Sequence, residues 1–257
     1  MTVPAIRATA SGTTGAPTLV LGPSLGTASP LWDAAAELLG EHFSLLTWDL
    51  PGHGRSDPAS APFTVTELAD AVIWLADMSG IAAFSYAGVS LGGAVGLELA
   101  LRHPERVTGL AMICSLARFG TADAWNERAA LVREQSTSAL IGPSAGRWFS
   151  PGSIARLPEV TGRLLHTLAD ADDESYALCC EALAGFDARE QLKELSVPLL
   201  AISGRDDPVA TTEDVAEIAA TAPKGRAADI PDAGHLAPAE QPAAVASLLI
   251  EFLGSEK

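Results

Sequence analysis

The sequence has little of what a disulfide-bonded, secreted or membrane-spanning protein would need. Three cysteines occur among 257 residues, an odd number without metal-like spacing, so we expect neither a disulfide framework nor a metal site. We interpret Cys114, Cys179 and Cys180 as reduced residues in or near the core. No apolar run approaches the roughly 18 residues of a membrane span, and residues 1–17 lack the basic start and apolar block of a secretory signal. We therefore expect a cytoplasmic protein with no membrane partner.

Positive charge is also scarce. The chain carries 16 basic and 32 acidic residues, which gives a net charge of −16. This balance argues against a nucleic acid as partner, because phosphates require a basic surface. Residues 118–163 depart from it, with six arginines against four acids. The local excess is either a scatter of charges on solvated helix faces or a segment that receives an anionic ligand.

Apolar residues, in contrast, are plentiful. They make up 48% of the chain, enough for one large domain with a sizeable core. Short, continuously apolar runs alternate with stretches of helical spacing, a pattern typical of a mostly parallel sheet flanked by helices. The predicted fold class is therefore α/β. The predicted strands are 18–22, 43–49, 82–88, 107–114, 197–204 and 225–230.

The alternation stops in one long segment. Residues 115–195 contain no convincing strand, and their helical candidates lie around 123–139, 155–169 and 174–185. We interpret this segment as a helical cap inserted into a core formed by residues 1–114 and 196–257. Such a cap would lie over the carboxyl ends of the strands, where open α/β sheets bind ligands. It includes the arginine-rich segment, which favours the interpretation that an anionic ligand binds there.

Ser90 stands in a G-x-S-x-G pattern, between Gly88 and Gly92. The motif is short enough to occur by accident, but its setting is specific, because a predicted strand precedes it and a helical stretch follows. Such a turn strains the backbone of a nucleophilic serine and requires neighbours without side chains. Gly88, Gly92 and Gly93 meet this requirement. The start of the helix also directs backbone N–H groups towards a bound carbonyl oxygen. We therefore predict that Ser90 is a nucleophile.

A nucleophilic serine requires a general base, and the chain has five histidines. His42 precedes a strand, His103 lies near the far end of the helix after the serine, and His166 lies in the predicted cap. His53 lies in a glycine-rich turn after a strand, and His235 lies in the loop after the last strand. A histidine downstream of the serine and after the final strand is where such a fold places its base, so we predict His235.

The acid that orients this base should follow the penultimate strand and precede the histidine. Asp206 and Asp207 both stand there. Only one of them can face the imidazole, and the pattern itself does not decide which.

Four stretches together resemble the α/β-hydrolase superfamily: DLPGHGRSD, GVSLGGAVGLELALRHPERV, SGRDDPV and DAGHLAPAEQP. The resemblance covers nearly the whole chain and includes the order serine, aspartate, histidine. It implies an α/β-hydrolase fold in which Asp207 is the acid. It also implies an oxyanion hole formed by the backbone N–H groups of Leu25 and Leu91. Pro23 and Ser24 stand where the family commonly has a His-Gly pair, but backbone donors tolerate this departure.

The stretch LGPSLGTASPLWD and four cap stretches are similar to the bacterial 3-oxoadipate enol-lactonases. The cap stretches are LARFGTADAWNERAALVRE, GRWFSPG, SYALCCEAL and FDAREQL. The cap is usually the most variable part of the superfamily, so similarity there is more specific than the triad motifs. This similarity implies hydrolysis of 3-oxoadipate enol-lactone to 3-oxoadipate through an acyl-enzyme. The reaction belongs to the β-ketoadipate pathway of aromatic catabolism, and the similarity implies no cofactor.

The implied partner is a small anionic lactone that keeps a free carboxylate. One arginine could hold that group with two parallel hydrogen bonds. Arg118, Arg128 and Arg147 all lie in the family-like cap stretches, and the sequence does not distinguish them. Trp125 and Trp148 are the expected pocket walls.

Two other interpretations remain open. A related carboxylesterase, C–C bond hydrolase or perhydrolase would share the triad and differ only in substrate preference. A non-catalytic, ligand-binding version of the fold is less favoured, because Ser90, Asp207 and His235 are all present.

Overall fold

Seven strands form one sheet in the computed structural model, which describes residues 3–254. Their order across the sheet is β1-β3-β2-β4-β5-β6-β7, and β1 alone runs antiparallel to its neighbour. The strands are β1 (Arg7–Gly12), β2 (Thr18–Gly22), β3 (Ser44–Asp49), β4 (Phe84–Val89), β5 (Val107–Ile113), β6 (Leu199–Gly204) and β7 (Gly225–Ile230). The prediction of an α/β fold with a mostly parallel sheet is confirmed.

The centre of the sheet is buried and its edges are partly exposed. Every residue of β4 and β6 is buried, as expected for parallel strands covered on both faces. All six predicted strands are present, because their continuous apolar runs reflect this burial. β1 was not predicted. Its sequence, RATASG, consists of small and polar residues that are mostly exposed at the sheet edge, so it carries no apolar run.

Helices flank the sheet, and their pairing follows their apolar faces. α1 packs against α11, and α2 packs against α3. The helices are α1 (Asp33–Leu39), α2 (Val65–Met78), α3 (Leu91–Arg102), α4 (Ala122–Gln135), α5 (Ile141–Trp148), α6 (Ser153–Arg156), α7 (Pro158–Asp170), α8 (Asp173–Ala184), α9 (Thr212–Thr221), α10 (Ala237–Glu240) and α11 (Pro242–Leu253). Three short 3₁₀ helices lie at Ser29–Leu31, Thr137–Leu140 and Glu190–Glu194. Within residues 3–254, no helix is both long and apolar enough to cross a membrane.

The segment between β5 and β6 carries five of these helices and no strand, and the structure describes all of its residues. It is the predicted helical insertion, in which α4 packs along α8. The predicted helix 123–139 ends early, because Ser136 has a positive φ of 65° and stops α4. α5 was not predicted, since Gly142, Pro143 and Gly146 are poor helix formers. The exact division at residues 115 and 195 stays a prediction.

The strand order brings two loops together at the carboxyl edge of the sheet. β3 lies on one side of β2 and β4 lies on the other, so the order reverses between β2 and β4. Loops that leave strands at such a switch point border a crevice in which open α/β sheets bind ligands. Here these are the loop that begins at Pro23, after β2, and the turn at Ser90, after β4.

The three cysteines lie in the core as expected. Cys114, Cys179 and Cys180 are buried and none forms a disulfide. Burial raises the pKa of each thiol, because the charged thiolate would lose its hydration.

Candidate active site

Ser90 occupies the turn between the central strand β4 and helix α3. β4 ends at Val89 and α3 begins at Leu91, and Ser90 itself has φ 53° and ψ −116°. A non-glycine residue in this conformation is strained by about 1–3 kcal/mol, and the surrounding structure must hold it in place. The turn is tight, since a Cβ atom on Gly88 would lie 2.3 Å from the backbone of Gly92. The serine therefore stands on a strained strand-to-helix turn, next to the positive end of a helix.

His235 and Asp207 form a buried pair in the loops that follow β7 and β6. The Nδ1 of His235 lies 2.9 Å from Oδ2 of Asp207, and both side chains are almost completely buried. Oδ1 of Asp207 accepts a hydrogen bond from the backbone N–H of Val209 at 2.8 Å, so both carboxylate oxygens are held. Asp206 is exposed. The structure thus decides between two aspartates that the sequence pattern left open.

Ser90 and His235 line one small cavity beneath the cap, which we call the inner cavity. Its volume is about 60 Å³, and the core also contributes Ser24 and Leu25 from the loop after β2. With Nδ1 of His235 engaged by Asp207, Nε2 is the ring nitrogen left for a proton transfer. Acyl transfer requires a nucleophile, a base and a group that orients the base, and Ser90, His235 and Asp207 stay the predicted residues for these roles.

The predicted oxyanion-hole residues lie on the two loops that meet at the switch point. Leu91 is the first residue of α3, so its N–H has no acceptor within the helix. Leu25 lines the inner cavity, and Leu91 directly follows Ser90. The backbone N–H of Gly92 donates to the carbonyl oxygen of Pro23 at 3.0 Å, and this bond holds the two loops side by side.

Four of the five predicted cap residues line the inner cavity: Trp125, Arg128, Arg147 and Trp148. Arg118 does not. Its Nε lies 3.9 Å from a carboxylate oxygen of Asp187, and it borders a separate cleft with Arg189.

The reason for the position of Arg118 is a backbone contact of the neighbouring residue. The carbonyl oxygen of Ala117 accepts a hydrogen bond from Ala188 N–H at 2.8 Å, which aligns this loop with the segment that carries Asp187. Of the three arginines that the sequence left undistinguished, Arg118 therefore lies outside the inner cavity, and Arg128 and Arg147 remain as candidates for binding the substrate carboxylate.

Arg128 and Arg147 differ from most other arginines because neither forms an ion pair with a described residue. By contrast, Arg133 on the same helix as Arg128 binds the carboxylates of Glu174 and Glu181. In a chain with a net charge of −16, two unpaired guanidinium groups in one cavity favour an anionic ligand.

Arg128 is held between two aromatic rings. Its Nε donates a hydrogen bond to the hydroxyl oxygen of Tyr176 at 3.0 Å. Its guanidinium carbon lies 5.8 Å from the ring centroid of Trp125 and 5.7 Å from that of Tyr176, within range of cation–π attraction. Burial raises the pKa of Tyr176 well above its usual range, so its hydroxyl stays protonated near neutral pH.

A larger cleft adjoins the inner cavity, and we call it the outer cleft. Its volume is about 510 Å³, and it shares with the inner cavity the residues Phe119, Trp125, Arg128, Arg147 and Val209. Most of its remaining lining is apolar or small. The inner cavity is smaller than the about 300–1,000 Å³ of ordinary ligand pockets, and the outer cleft beside it provides a volume within that range.

Sequence reasoning missed several residues that the structure brings to the inner cavity. Tyr176, Phe119 and Val209 line it, yet neither periodicity nor charge distinguishes them in the sequence.

His53, the other histidine in a loop after a strand, does not line the inner cavity. The ring of His53 stacks on Tyr176 with centroids 6.0 Å apart, its Nδ1 lies 2.8 Å from the carbonyl oxygen of Pro51, and burial lowers its pKa.

The donor groups that a metal would require are dispersed. Among residues 3–254, no group of three or more histidine, cysteine, aspartate or glutamate side chains is placed to hold a metal ion.

Known proteins are similar to this chain over most of its length. The sequence model of the alpha/beta hydrolase fold matches residues 17–242. The chain is 39% identical to 3-oxoadipate enol-lactonase 2 of Acinetobacter baylyi over 198 residues, which are 77% of this chain and 74% of that protein. It is 31% identical to 3-oxoadipate enol-lactonase 1 of the same organism, over 95% of this chain and 91% of that protein. The crystal structure of the enol-lactonase from Burkholderia xenovorans LB400 is 32% identical, with a TM-score of 0.94 over 97% of this chain and 96% of that one.

Proposed function

The chain belongs to the α/β-hydrolase fold family, and on this basis we propose that it is a serine hydrolase that opens the ring of 3-oxoadipate enol-lactone. The product would be 3-oxoadipate. Similarity to the enol-lactonases of Acinetobacter baylyi supports this choice of lactone. The observation that carries it is the presence of Arg128 and Arg147, without ion pairs, in the cavity that contains Ser90.

In the first step, Nε2 of His235 takes the proton of the Ser90 hydroxyl while the Ser90 oxygen attacks the lactone carbonyl carbon. Asp207, which accepts a hydrogen bond from Nδ1, stabilises the imidazolium that forms. The backbone N–H groups of Leu25 and Leu91 hold the oxyanion of the tetrahedral intermediate, and each such donor contributes about 3 kcal/mol in comparable sites.

In the second step, the intermediate collapses and the ring C–O bond breaks. The enol oxygen leaves and receives the proton held by His235, while the acyl group stays on Ser90. An enol is a better leaving group than an alcohol, and its conversion to the ketone opposes reclosure of the ring. Water, deprotonated by His235, then attacks the acyl-enzyme and releases 3-oxoadipate and free Ser90.

The substrate carboxylate would bind the guanidinium groups of the cap. Arg128 uses Nε–H for Tyr176, so its terminal Nη–H groups can donate hydrogen bonds to a carboxylate. Arg147 is exposed and lines both the inner cavity and the outer cleft, so it would attract the anion as it enters. This pair would select against neutral esters.

One observation favours a second candidate function, a carboxylesterase for neutral esters. The outer cleft has an apolar lining that includes Leu116, Leu131, Leu140 and Pro143, which suits an alkyl or aryl group. Both candidates use the same triad and differ in what the cap binds.

A comparison of two substrates tests the proposal. We expect wild-type protein to hydrolyse 3-oxoadipate enol-lactone with a higher kcat/KM than 4-nitrophenyl acetate, and Ser90→Ala to hydrolyse neither. Ser79→Ala, at an exposed serine that directly follows α2, is the matched control and should retain full activity. Faster hydrolysis of the neutral ester would favour the carboxylesterase, and no turnover of the lactone by wild type would refute the lactonase assignment.

A further inference from the structure

We infer that Glu240 is a positioning residue, whose buried carboxylate ties the loop of His235 to the cap segment that carries Trp148. The inference rests on the proposed function, because it takes His235 to be the base. Glu240 itself does not line the inner cavity. It ends the short helix α10, five residues after His235, and is only 5% exposed.

Each carboxylate oxygen of Glu240 accepts a hydrogen bond from a different part of the chain. Oε2 accepts from the backbone N–H of Gly234 at 2.7 Å, and Oε1 accepts from the backbone N–H of Ser150 at 2.8 Å. Within the described chain no basic residue pairs with this carboxylate. Removing a carboxylate from water is unfavourable, so these two charge-assisted hydrogen bonds are what compensates for its burial.

Both neighbours of His235 are consequently bound to the same cap segment. Gly234 is bound to Ser150 through Glu240, and the backbone N–H of Leu236 donates to the carbonyl oxygen of Trp148 at 3.2 Å. The backbone on either side of the imidazole is therefore hydrogen-bonded to residues 148–150.

The packing around Gly234 restricts this loop further. A Cβ atom on Gly234 would lie 2.8 Å from the backbone nitrogen of Ser150. On the core side, a Cβ atom on Gly204, at the end of β6, would lie 2.2 Å from the carbonyl oxygen of Gly234. The loop is thus confined between the core and the cap, and the carboxylate of Glu240 joins the two through Gly234 and Ser150.

This geometry links the base to one wall of the cavity. Trp148 lines the inner cavity and Ser150 lies two residues further along the same segment. Loss of one Glu240 hydrogen bond would let the His235 loop shift, and a displacement of about 1 Å of a reacting group can cost about 100-fold in rate. Because Glu240 does not touch the cavity, we expect the loss in kcat rather than in KM.

The test is Glu240→Gln, which keeps the shape of the side chain. Its amide oxygen can accept one N–H, while its NH₂ group faces the other N–H and cannot. The matched control is Glu67→Gln. Glu67 is also a buried carboxylate that binds a backbone N–H, that of Thr64 at 2.8 Å, but it belongs to the capping box of α2 and does not line the cavity.

Steady-state kinetics on 4-nitrophenyl acetate and on the lactone, together with thermal unfolding, provide the readouts. We expect Glu240→Gln to lower kcat about 10- to 100-fold on both substrates, with KM changed less than about threefold. Glu67→Gln should lower the melting temperature to a similar degree and leave kcat unchanged. Glu240→Asp, which keeps the charge but can reach only one of the two N–H groups, should lose less activity than Glu240→Gln.

The inference is overturned if folded Glu240→Gln has wild-type kcat, or if Glu67→Gln loses as much kcat as Glu240→Gln. If Glu240→Gln does not fold, Glu240→Asp is compared with Glu67→Asp, and wild-type kcat in Glu240→Asp is then the contradicting result. Failure of the proposed function is a different observation, since wild-type protein would then be inactive on the lactone while the ester still reports on His235.

Discussion

Nε of Arg128 donates a hydrogen bond to the hydroxyl oxygen of Tyr176 at 3.0 Å, inside the cavity that contains Ser90. This contact orients the guanidinium group without neutralising it, because tyrosine stays protonated when burial raises its pKa. An oriented and unpaired guanidinium is what recognition of a carboxylate requires.

The first prediction concerns this arginine. Arg128→Ala should raise KM for 3-oxoadipate enol-lactone about 10- to 100-fold, as expected for loss of a hydrogen bond between charged groups. KM for 4-nitrophenyl acetate should stay unchanged, since this ester has no carboxylate. Arg118→Ala is the control, because Arg118 lies outside the cavity and next to Asp187. An unchanged lactone KM in Arg128→Ala would exclude this arginine as the carboxylate-binding group.

The second prediction separates two adjacent aspartates. Asp207→Asn should lower kcat by about a thousandfold or more, because the amide cannot stabilise the imidazolium or hold its tautomer. Asp206→Asn should retain wild-type kcat, since Asp206 is exposed. Equal losses in the two variants would show that the pairing of His235 with Asp207 at 2.9 Å is not what matters for turnover.

The third prediction concerns the strained serine. Ser90→Gly and Ser90→Ala both remove the hydroxyl group, so both should be inactive. Glycine adopts the φ of 53° without strain, whereas alanine retains its Cβ and the strain. The free energy of unfolding of Ser90→Gly should therefore exceed that of Ser90→Ala by about 1 kcal/mol. Urea unfolding measures this difference, and an alanine variant that is equally stable would refute the strain.

The fourth prediction tests the close approach of the His235 loop to the cap. Gly234→Ala should lower both kcat and the free energy of unfolding, the latter by about 1–3 kcal/mol, because a Cβ atom would press against the backbone of Ser150. Gly162→Ala is the control. A Cβ there meets nothing within 4 Å inside helix α7, so this variant should gain about 0.5–1 kcal/mol. Wild-type activity and stability in Gly234→Ala would contradict the tight contact.

The fifth prediction concerns the thiols. Burial raises the pKa of Cys180 to about 12 and that of Cys114 and Cys179 well above the usual value. A higher pKa means less of the reactive thiolate at any given pH, so a thiol-specific disulfide reagent at pH 8 should label none of the three in folded protein. In denaturant it should label all three. Rapid labelling of the native protein would show that the core opens around a cysteine.

Most of the fold could be predicted because burial leaves apolar runs in strands and apolar residues at helical spacing in helices. The apolar runs of β4 and β6 are continuous since both faces of these strands are covered. Edge strand β1 leaves no such trace, because most of its residues are exposed. α5 was missed because glycine and proline interrupt its pattern, while packing in the cap still holds the helix.

The site could be predicted where a residue has a local signature. Ser90 has one, since glycines must flank a strained turn at the end of a strand. Arg118 has none that distinguishes it from Arg128, because the direction of a cap side chain depends on which loop lies beside it. Tyr176 and Glu240 likewise gain their contacts from segments that are distant in the chain.

The sequence by itself determined the fold class, the serine turn and the order of the candidate triad, because these follow from local backbone requirements and from periodic burial. The family resemblance already implied Asp207 as the acid, and the tertiary structure shows its contact with His235. Only the tertiary structure decided which arginines face the inner cavity. It also decided that Glu240 joins the His235 loop to the cap. These are contacts between segments far apart in the chain, and their geometry depends on how loops pack at the edge of the sheet rather than on any local pattern.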